Sequence, residues 1–299
     1  MDSLLLLFQA PVLALQLLID GFLTGAIFAL AAYGMALVWG VMKIININQG
    51  SLVMLGGYVA LRVADSGVPI VFGAPTAAGV LFLVGWALHR LVIRRIVERD
   101  LFISVLATFG LAILLDQLMN EMFGADLRTL ESGLGTWFIF GGLVSISQVK
   151  VAAFVITLVI AVAVVLFMRR TRLGQAIRAT AQNARGARIL GVNVDRTYAI
   201  TYAINAALCG ATGALVAMIW TISPFGGLIF TVRSFMIVVV AGIGNLPGVI
   251  VAGIGLGAFE QFVGFILGAQ LQIALVFLLL VAILVYRSRR LALQRKRLQ

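Results

Sequence analysis

Three groups of residues have types and spacing that could carry chemistry. In the first, Asn46, Asn48 and Gln49 fall with Lys43 inside the eight residues Met42 to Gln49, in a chain that is apolar on both sides. The three amides supply donors and acceptors without a fixed charge that would trap a zwitterion. Gly50 then lets the chain turn before "SLVMLGGYVA" (51–60) resumes as a half-helix whose N-terminus could face a carboxylate. At membrane depth such a polar stretch is tolerated only where it is buried in protein or lines a cavity. The same residues would also suit a plain cytoplasmic turn that caps two crossing helices.

The second group is the carboxylates inside apolar runs: Asp20, Asp116 and Glu260, the last in "LGAFEQF". An ionisable group at that depth marks a solute or ion pathway, or else a structural hydrogen bond to a neighbouring helix. The third group lies in 169–196, "RRTRLGQAIRATAQNARGARILGVNVDR", where seven arginines face the single Asp195. Leu173, Ile177, Ala181 and Ala184 recur at helical spacing, so the segment reads as short amphipathic helices at a membrane edge. Ala184, Ala187, Arg188 and Gly191 follow at i, i+3, i+4 and i+7. A stripe that small suits a helix seated in a partner's groove, whereas an interfacial anchor would carry bulky apolar residues.

Catalytic signatures are missing. The sequence contains no GxxxxGK[ST], H-E-x-x-H, CxxC or G-x-S-x-G. The chain is therefore expected not to be an enzyme and to need no cofactor or metal. Cys209 stands alone, and His89, beside Arg90 at the end of an apolar run, reads as an anchor rather than a catalyst.

These groups must be positioned by membrane helices. Of the 299 residues 62% are hydrophobic and 11% charged, and the mean hydropathy is +1.13. A soluble fold of this length could not bury so much apolar surface. Of 22 Lys and Arg, four fall in 89–100, seven in 169–196 and six in 287–299, so the net charge of +11 reads as topology. No aromatic residues interleave with the arginines, and a nucleic-acid partner is not expected.

Apolar runs of about 17–25 residues can cross a bilayer. Clear ones lie at 12–39, 68–88, 102–123, 150–168 and 197–220; shorter or interrupted ones lie at 46–61, 231–244, 247–266 and 271–286. The expected fold is all-α and polytopic, with about 8–9 transmembrane helices and discontinuous or re-entrant segments. The count is eight if 46–61 only re-enters and nine if it crosses. Residues 1–299 read as one transmembrane domain, with a cytoplasmic loop at 169–196 and a basic cytoplasmic tail at 287–299. The stretch "MDSLLLLFQAPVLAL" has no basic start and reads as retained. Gly21/Gly25, Gly244/Gly248, Gly253/Gly257 and Gly264/Gly268 have the spacing of close helix packing. "TGAIFALA" (24–31) is echoed by "TGALVAMI" (212–219), a hint of two related halves.

Three ordered motifs resemble the permeases of branched-chain amino acid ABC transporters of the LivH type. "TRLGQAIRATAQNARGARILGVNVDR" (171–196) is similar to that family's cytoplasmic coupling segment. "KIININQGSLVMLGGY" (43–58) resembles its "INFAHG…MLGAY" signature, with Ile45, Asn46 and Gly50 kept and Ile47, Asn48 and Gln49 different. "FTVRSFMIVVVAGIGNLPGVIVAGIGLGAFEQF" (230–262) is similar to its glycine-rich penultimate region. The resemblance implies an inner-membrane permease subunit of a bacterial importer for branched-chain or related small amino acids, or amides such as urea. It further implies a second homologous permease, two ATP-binding subunits that hydrolyse ATP, and a periplasmic substrate-binding protein. Asn46, Asn48, Gln49, Gly50 and Glu260 would lie on the solute path. Ala184, Ala187, Arg188 and Gly191 would dock the ATPase. A self-sufficient ion-coupled carrier using Glu260 or Asp116 is the alternative.

Overall fold

The computed structural model describes residues 10–139, 141–242 and 244–296, with side chains described throughout except at 269, 273 and 287–296. Residues 1–9, the first part of the stretch read as retained, lie outside the described residues, as do 297–299 at the end of the basic tail.

The fold is all-α apart from one small hairpin. Its helices are α1 (Pro11–Met42), α2 (Gln49–Asp65), α3 (Gly73–Leu91) and α4 (Leu101–Phe123), then, after the hairpin, α5 (Gln148–Arg170). Two short helices follow, α6 (Arg172–Gln182) and α7 (Ala184–Ile189). The chain ends with α8 (Val194–Ile219), α9 (Gly227–Ala241), α10 (Leu246–Leu267) and α11 (Ala269–Lys296). The hairpin pairs β1 (Thr136–Ile139) antiparallel with β2 (Val144–Ser147).

Seven of these helices, with their flanking 3₁₀ turns, are long and apolar enough to cross a membrane: α1, α3, α4, α5, α8, α9 and α10. With the shorter apolar stretch Gln270–Tyr286 of α11 the count is eight among the described residues, while the 17-residue α2 starts at the polar stretch buried inside the protein. The arginine-rich α6–α7 segment marks the inner side by the positive-inside rule. The first turns of α1 lie at the opposite end, where Gln16 binds Ser145 of the hairpin and Asp20 pairs with Lys150 at 2.9 Å.

Local chemistry sets the helix ends. Pro11 opens α1, where a missing N–H costs nothing. Thr171, Asn183 and Asn193 cap α6, α7 and α8 by accepting from the N–H groups of Gly174, Gly186 and Arg196. This succession of caps folds 169–196 into two short helices.

Helix α8 is the most buried span, 78% of its apolar window being covered, and α1, α2 and α3 pack around it. The Gly253/Gly257 pair meets α1, as its spacing suggested: a Cβ on Gly253 would lie 2.6 Å from Ala29 Cβ, and one on Gly25 would lie 2.5 Å from Gly253 O. The pairs Gly244/Gly248 and Gly264/Gly268 do not have that role. Gly244 and Gly268 lie outside the helices at φ +81° and +86°, a conformation that favours glycine, and they end and start segments rather than packing them.

Candidate functional site

The polar stretch after α1 lies inside the protein. Lys43 ends α1 in the left-handed conformation (φ 55°), and residues 43–46 then run without regular structure to the turn that opens α2. Asn46, Asn48 and Gln49 have no exposed surface. Asn46 Nδ2 donates to Gln49 Oε1 at 3.1 Å, and Gln49 Nε2 donates to the Ala31 carbonyl at 2.7 Å, midway along α1. The Tyr202 hydroxyl of α8 lies 3.3 Å from Asn46 Oδ1 and 3.1 Å from Asn48 Oδ1.

Two threonines serve the backbone here. Thr108 of α4 accepts from Ile47 N (3.2 Å) and contacts Ile45 O (3.1 Å). Thr231 of α9 accepts from Gly50 N at 2.8 Å and contacts Ile47 O at 3.1 Å. Irregular backbone at membrane depth must find such partners, and α4 and α9 supply them here. The result is a polar knot that ties α1, α4, α8 and α9 to the start of α2. Asn48 Nδ2 and Asn205 Nδ2 remain without partners among the described residues.

A cavity of about 510 Å³ lies on the outer side of the knot. Thr24 and Phe28 of α1, Met54 of α2, Trp220 at the end of α8, Arg233 of α9 and Glu260 of α10 line it. Phe28 is one turn from Ala31, Met54 one turn from Gly50, and Arg233 next but one to Thr231. These offsets put the knot about one helical turn, roughly 5 Å, from the cavity. Leu127, Thr221 and Ser223, from the loops at the outer ends of α4 and α8, form its mouth.

Arg233 and Glu260 dominate the cavity's polarity. Arg233 Nε lies 2.9 Å from Glu260 Oε1, with side-chain exposures of 18% and 4%. Gln272 Nε2 of α11 reaches Glu260 Oε2 at 3.5 Å. The guanidinium stands 4.5 Å over the Phe28 ring, which stacks on Trp220 at 5.8 Å. One wall therefore carries both charges and the next is aromatic. Such an arrangement can hold a small molecule with a charged end and an apolar end.

The other carboxylates are placed elsewhere. Asp20 is bound to Lys150 near the outer hairpin, and Asp116 of α4 keeps Oδ1 without a partner among the described residues. Of the five residues expected on a path, Glu260 lines the cavity, while Asn46, Asn48, Gln49 and Gly50 form the knot beneath it.

The α6–α7 segment presents a different face from the expected stripe. Ala187 is 4% exposed and packs inward, Arg188 donates to Glu98 Oε1 at 2.9 Å, and α7 ends at Ile189. The Glu98 carboxylate holds the Arg188 guanidinium more firmly charged. Gly191 at φ +84° lies beyond the helix, so the i+7 spacing does not extend to it. The exposed apolar surface is at the tip, where Ile189 is 79% and Leu190 84% exposed. Two adjacent apolar residues break no periodicity rule, and helical spacing alone gave no sign of them.

A family model described as "Branched-chain amino acid transport system / permease component" matches residues 17–286. The chain is 29% identical over 288 residues to the high-affinity branched-chain amino acid transport system permease protein BraD of Pseudomonas aeruginosa, covering 91% of this chain and 94% of that protein. It is 28% identical over 286 residues to LivH of Salmonella typhimurium, named likewise, covering 90% and 92%. It is 26% identical over 254 residues to the probable branched-chain amino acid transport permease protein LivH of Methanocaldococcus jannaschii, covering 81% and 79%.

Proposed function

The chain belongs to the branched-chain amino acid transport permease family, and from that premise we propose that it is the transmembrane subunit of an ABC importer for branched-chain or related small amino acids. The observation that carries the reading is the outward cavity, with its Arg233–Glu260 pair, closed about one helical turn further in by the polar knot. Arg233 would receive the solute carboxylate on its free guanidinium edge, Glu260 the ammonium, and Phe28 and Trp220 the aliphatic chain. A volume of about 510 Å³ falls within the roughly 300–1,000 Å³ usual for small-molecule sites.

On this reading the knot is the inner seal. Its bonds join α2 to α1, α4, α8 and α9, so moving these helices apart would open a path lined by Asn46, Asn48, Gln49 and the α2 N-terminus at Gly50. Solute would arrive from a periplasmic binding protein. ATP would be hydrolysed on two separate subunits docked on the α6–α7 segment, with Ile189 and Leu190 as the inserted residues beside Arg188. A second, homologous permease would complete the membrane portion. The subunit would sit in the bacterial inner membrane, and α11 would bring the C-terminus to the cytoplasmic side. The ion-coupled alternative has no support from the family, and Glu260 has an arginine partner instead of standing free to bind an ion.

The test is co-purification followed by reconstitution. The chain should isolate with two ATPase subunits and a second permease, and should take up a branched-chain amino acid only with ATP and loaded binding protein. Ion-driven uptake by this chain alone would overturn the reading.

A further inference from the structure

A second cavity, of about 410 Å³, lies at the inner end of α3 and is walled by Trp86, His89 and Arg90 of α3, Arg94 of the following turn, and Asp195 and Arg196 of α8. Its charge is unbalanced. Arg94 is engaged by Asp195 at 3.6 Å, whereas Arg90 and Arg196 are exposed and have no ion-pair partner among the described residues. His89, 3% exposed, forms part of the wall and keeps Nε2 without a hydrogen-bond partner. Nothing in the coupling or transport reading uses this site.

The outer face of α3 leading to it has a definite order. Val80, Leu83, Trp86 and Arg90 follow one another at helical spacing, and the first three are 43%, 67% and 44% exposed. The Arg90 guanidinium stands 5.6 Å over the Trp86 ring. From mid-span to the inner edge the face therefore runs aliphatic, aromatic, cationic, matching acyl chain, interface and headgroup.

We propose that this cavity binds the anionic phosphodiester headgroup of an inner-leaflet phospholipid, with Arg90 and Arg196 on the phosphate and Val80, Leu83 and Trp86 along an acyl chain. A basic pocket between helices on the cytoplasmic side has the chemistry such a headgroup requires. The continuous apolar stripe favours a lipid over a free anion, which would leave that stripe unused.

The test titrates the full-length protein, purified with its partner subunits in detergent, with phosphatidylglycerol, phosphatidylcholine and inorganic phosphate in separate arms. Bound lipid is counted by native mass spectrometry. Phosphatidylglycerol should bind in preference to phosphatidylcholine, and inorganic phosphate should not displace it. The double variant Arg90→Gln/Arg196→Gln should bind phosphatidylglycerol at least about tenfold more weakly, from roughly fivefold per arginine near an anionic surface. Arg90→Lys/Arg196→Lys should keep most of the binding, and Arg185→Gln, in a different part of the inner surface, should keep all of it. If the double variant does not fold, the two single glutamine variants carry the same test.

Unchanged phosphatidylglycerol binding in the glutamine variants would overturn the proposal, as would displacement by inorganic phosphate or equal binding of phosphatidylcholine. Intact lipid binding with loss of the ATPase subunits would also overturn it and assign the arginines to a protein partner.

Discussion

Gly50 and Gly227, the second residue of α2 and the first of α9, meet backbone to backbone. A Cβ on Gly227 would lie 2.7 Å from Gly50 C and 2.8 Å from Ser51 N, and a Cβ on Gly50 would fall on the Gly227 carbonyl. Two helices that start inside the bundle thus touch at their N-termini, and Thr231 bridges them by accepting from Gly50 N. Each follows a long helix of the core: α1 leads to α2 and α8 leads to α9, with α1 and α8 antiparallel. The echo of "TGAIFALA" in "TGALVAMI" falls on those two long helices. Short helices meeting N-terminus to N-terminus after antiparallel partners is the arrangement of inverted repeats.

Gly227→Ala should therefore destabilise the chain by about 1–3 kcal/mol, the usual cost of overpacking. Gly226→Ala, whose Cβ would meet only the Ser223 hydroxyl at 3.2 Å and the Met54 sulfur at 3.5 Å, should be tolerated. The midpoint of thermal unfolding in detergent checks the pair, and equal midpoints would count against the backbone contact.

Gly257→Leu should prevent a monodisperse fold, because a Cβ there would strike the backbone of Gly21 and Gly25. Gly255→Leu, two residues away with nothing within 4 Å of its Cβ, should fold normally. Size-exclusion profiles of the two proteins decide between contact and mere helix propensity.

The knot gives a third expectation. Thr231→Val removes the hydroxyl that serves Gly50 N and Ile47 O, at a cost of about 1–3 kcal/mol for buried groups left unpaired. Gln49→Leu and Asn46→Leu remove the amides. All three should slow transport while leaving the complex assembled, as measured by uptake beside co-purified ATPase. Normal uptake in all three would confine the knot to a structural role.

Coupling should depend on the tip of α7. Ile189→Glu or Leu190→Glu should abolish substrate-stimulated ATP hydrolysis, since losing a buried apolar anchor removes about 2 kcal/mol or more of docking energy. Arg188→Gln should do little, because its pair with Glu98 is exposed. Ala187→Trp should lower the stability of the chain itself, because Ala187 packs inward. ATPase assays of the reconstituted complex, with and without loaded binding protein, separate these outcomes.

How much of this was legible in the sequence varied with the range of the interactions. The spans were, because about 20 apolar residues in a row suffice to mark a crossing. So were Glu260 and the polar stretch 46–49, since polar groups inside apolar runs stand out locally. Their partners were not. Arg233 reaches Glu260 only because α9 and α10 fold back on one another, and the knot's threonines lie 61 residues away at Thr108 and more than 180 away at Thr231. The docking stripe was read as one helical face from Ala184 to Gly191, but the Asn183 cap starts a helix that ends at Ile189. Helical spacing says nothing past the point where the helix stops.

The most direct test of the solute site is uptake of a radiolabelled branched-chain amino acid by the reconstituted importer carrying Arg233→Gln together with Glu260→Gln. Changing both avoids the about 3–5 kcal/mol cost of leaving one buried charge alone and leaves two neutral amides that can each hydrogen-bond, so the complex should still assemble. Uptake should fall at least about tenfold, since hydrogen bonds to charged groups are worth about 1.5–3 kcal/mol. Uptake at the unaltered rate by a correctly assembled complex would contradict the assignment of the Arg233–Glu260 cavity as the place where solute binds.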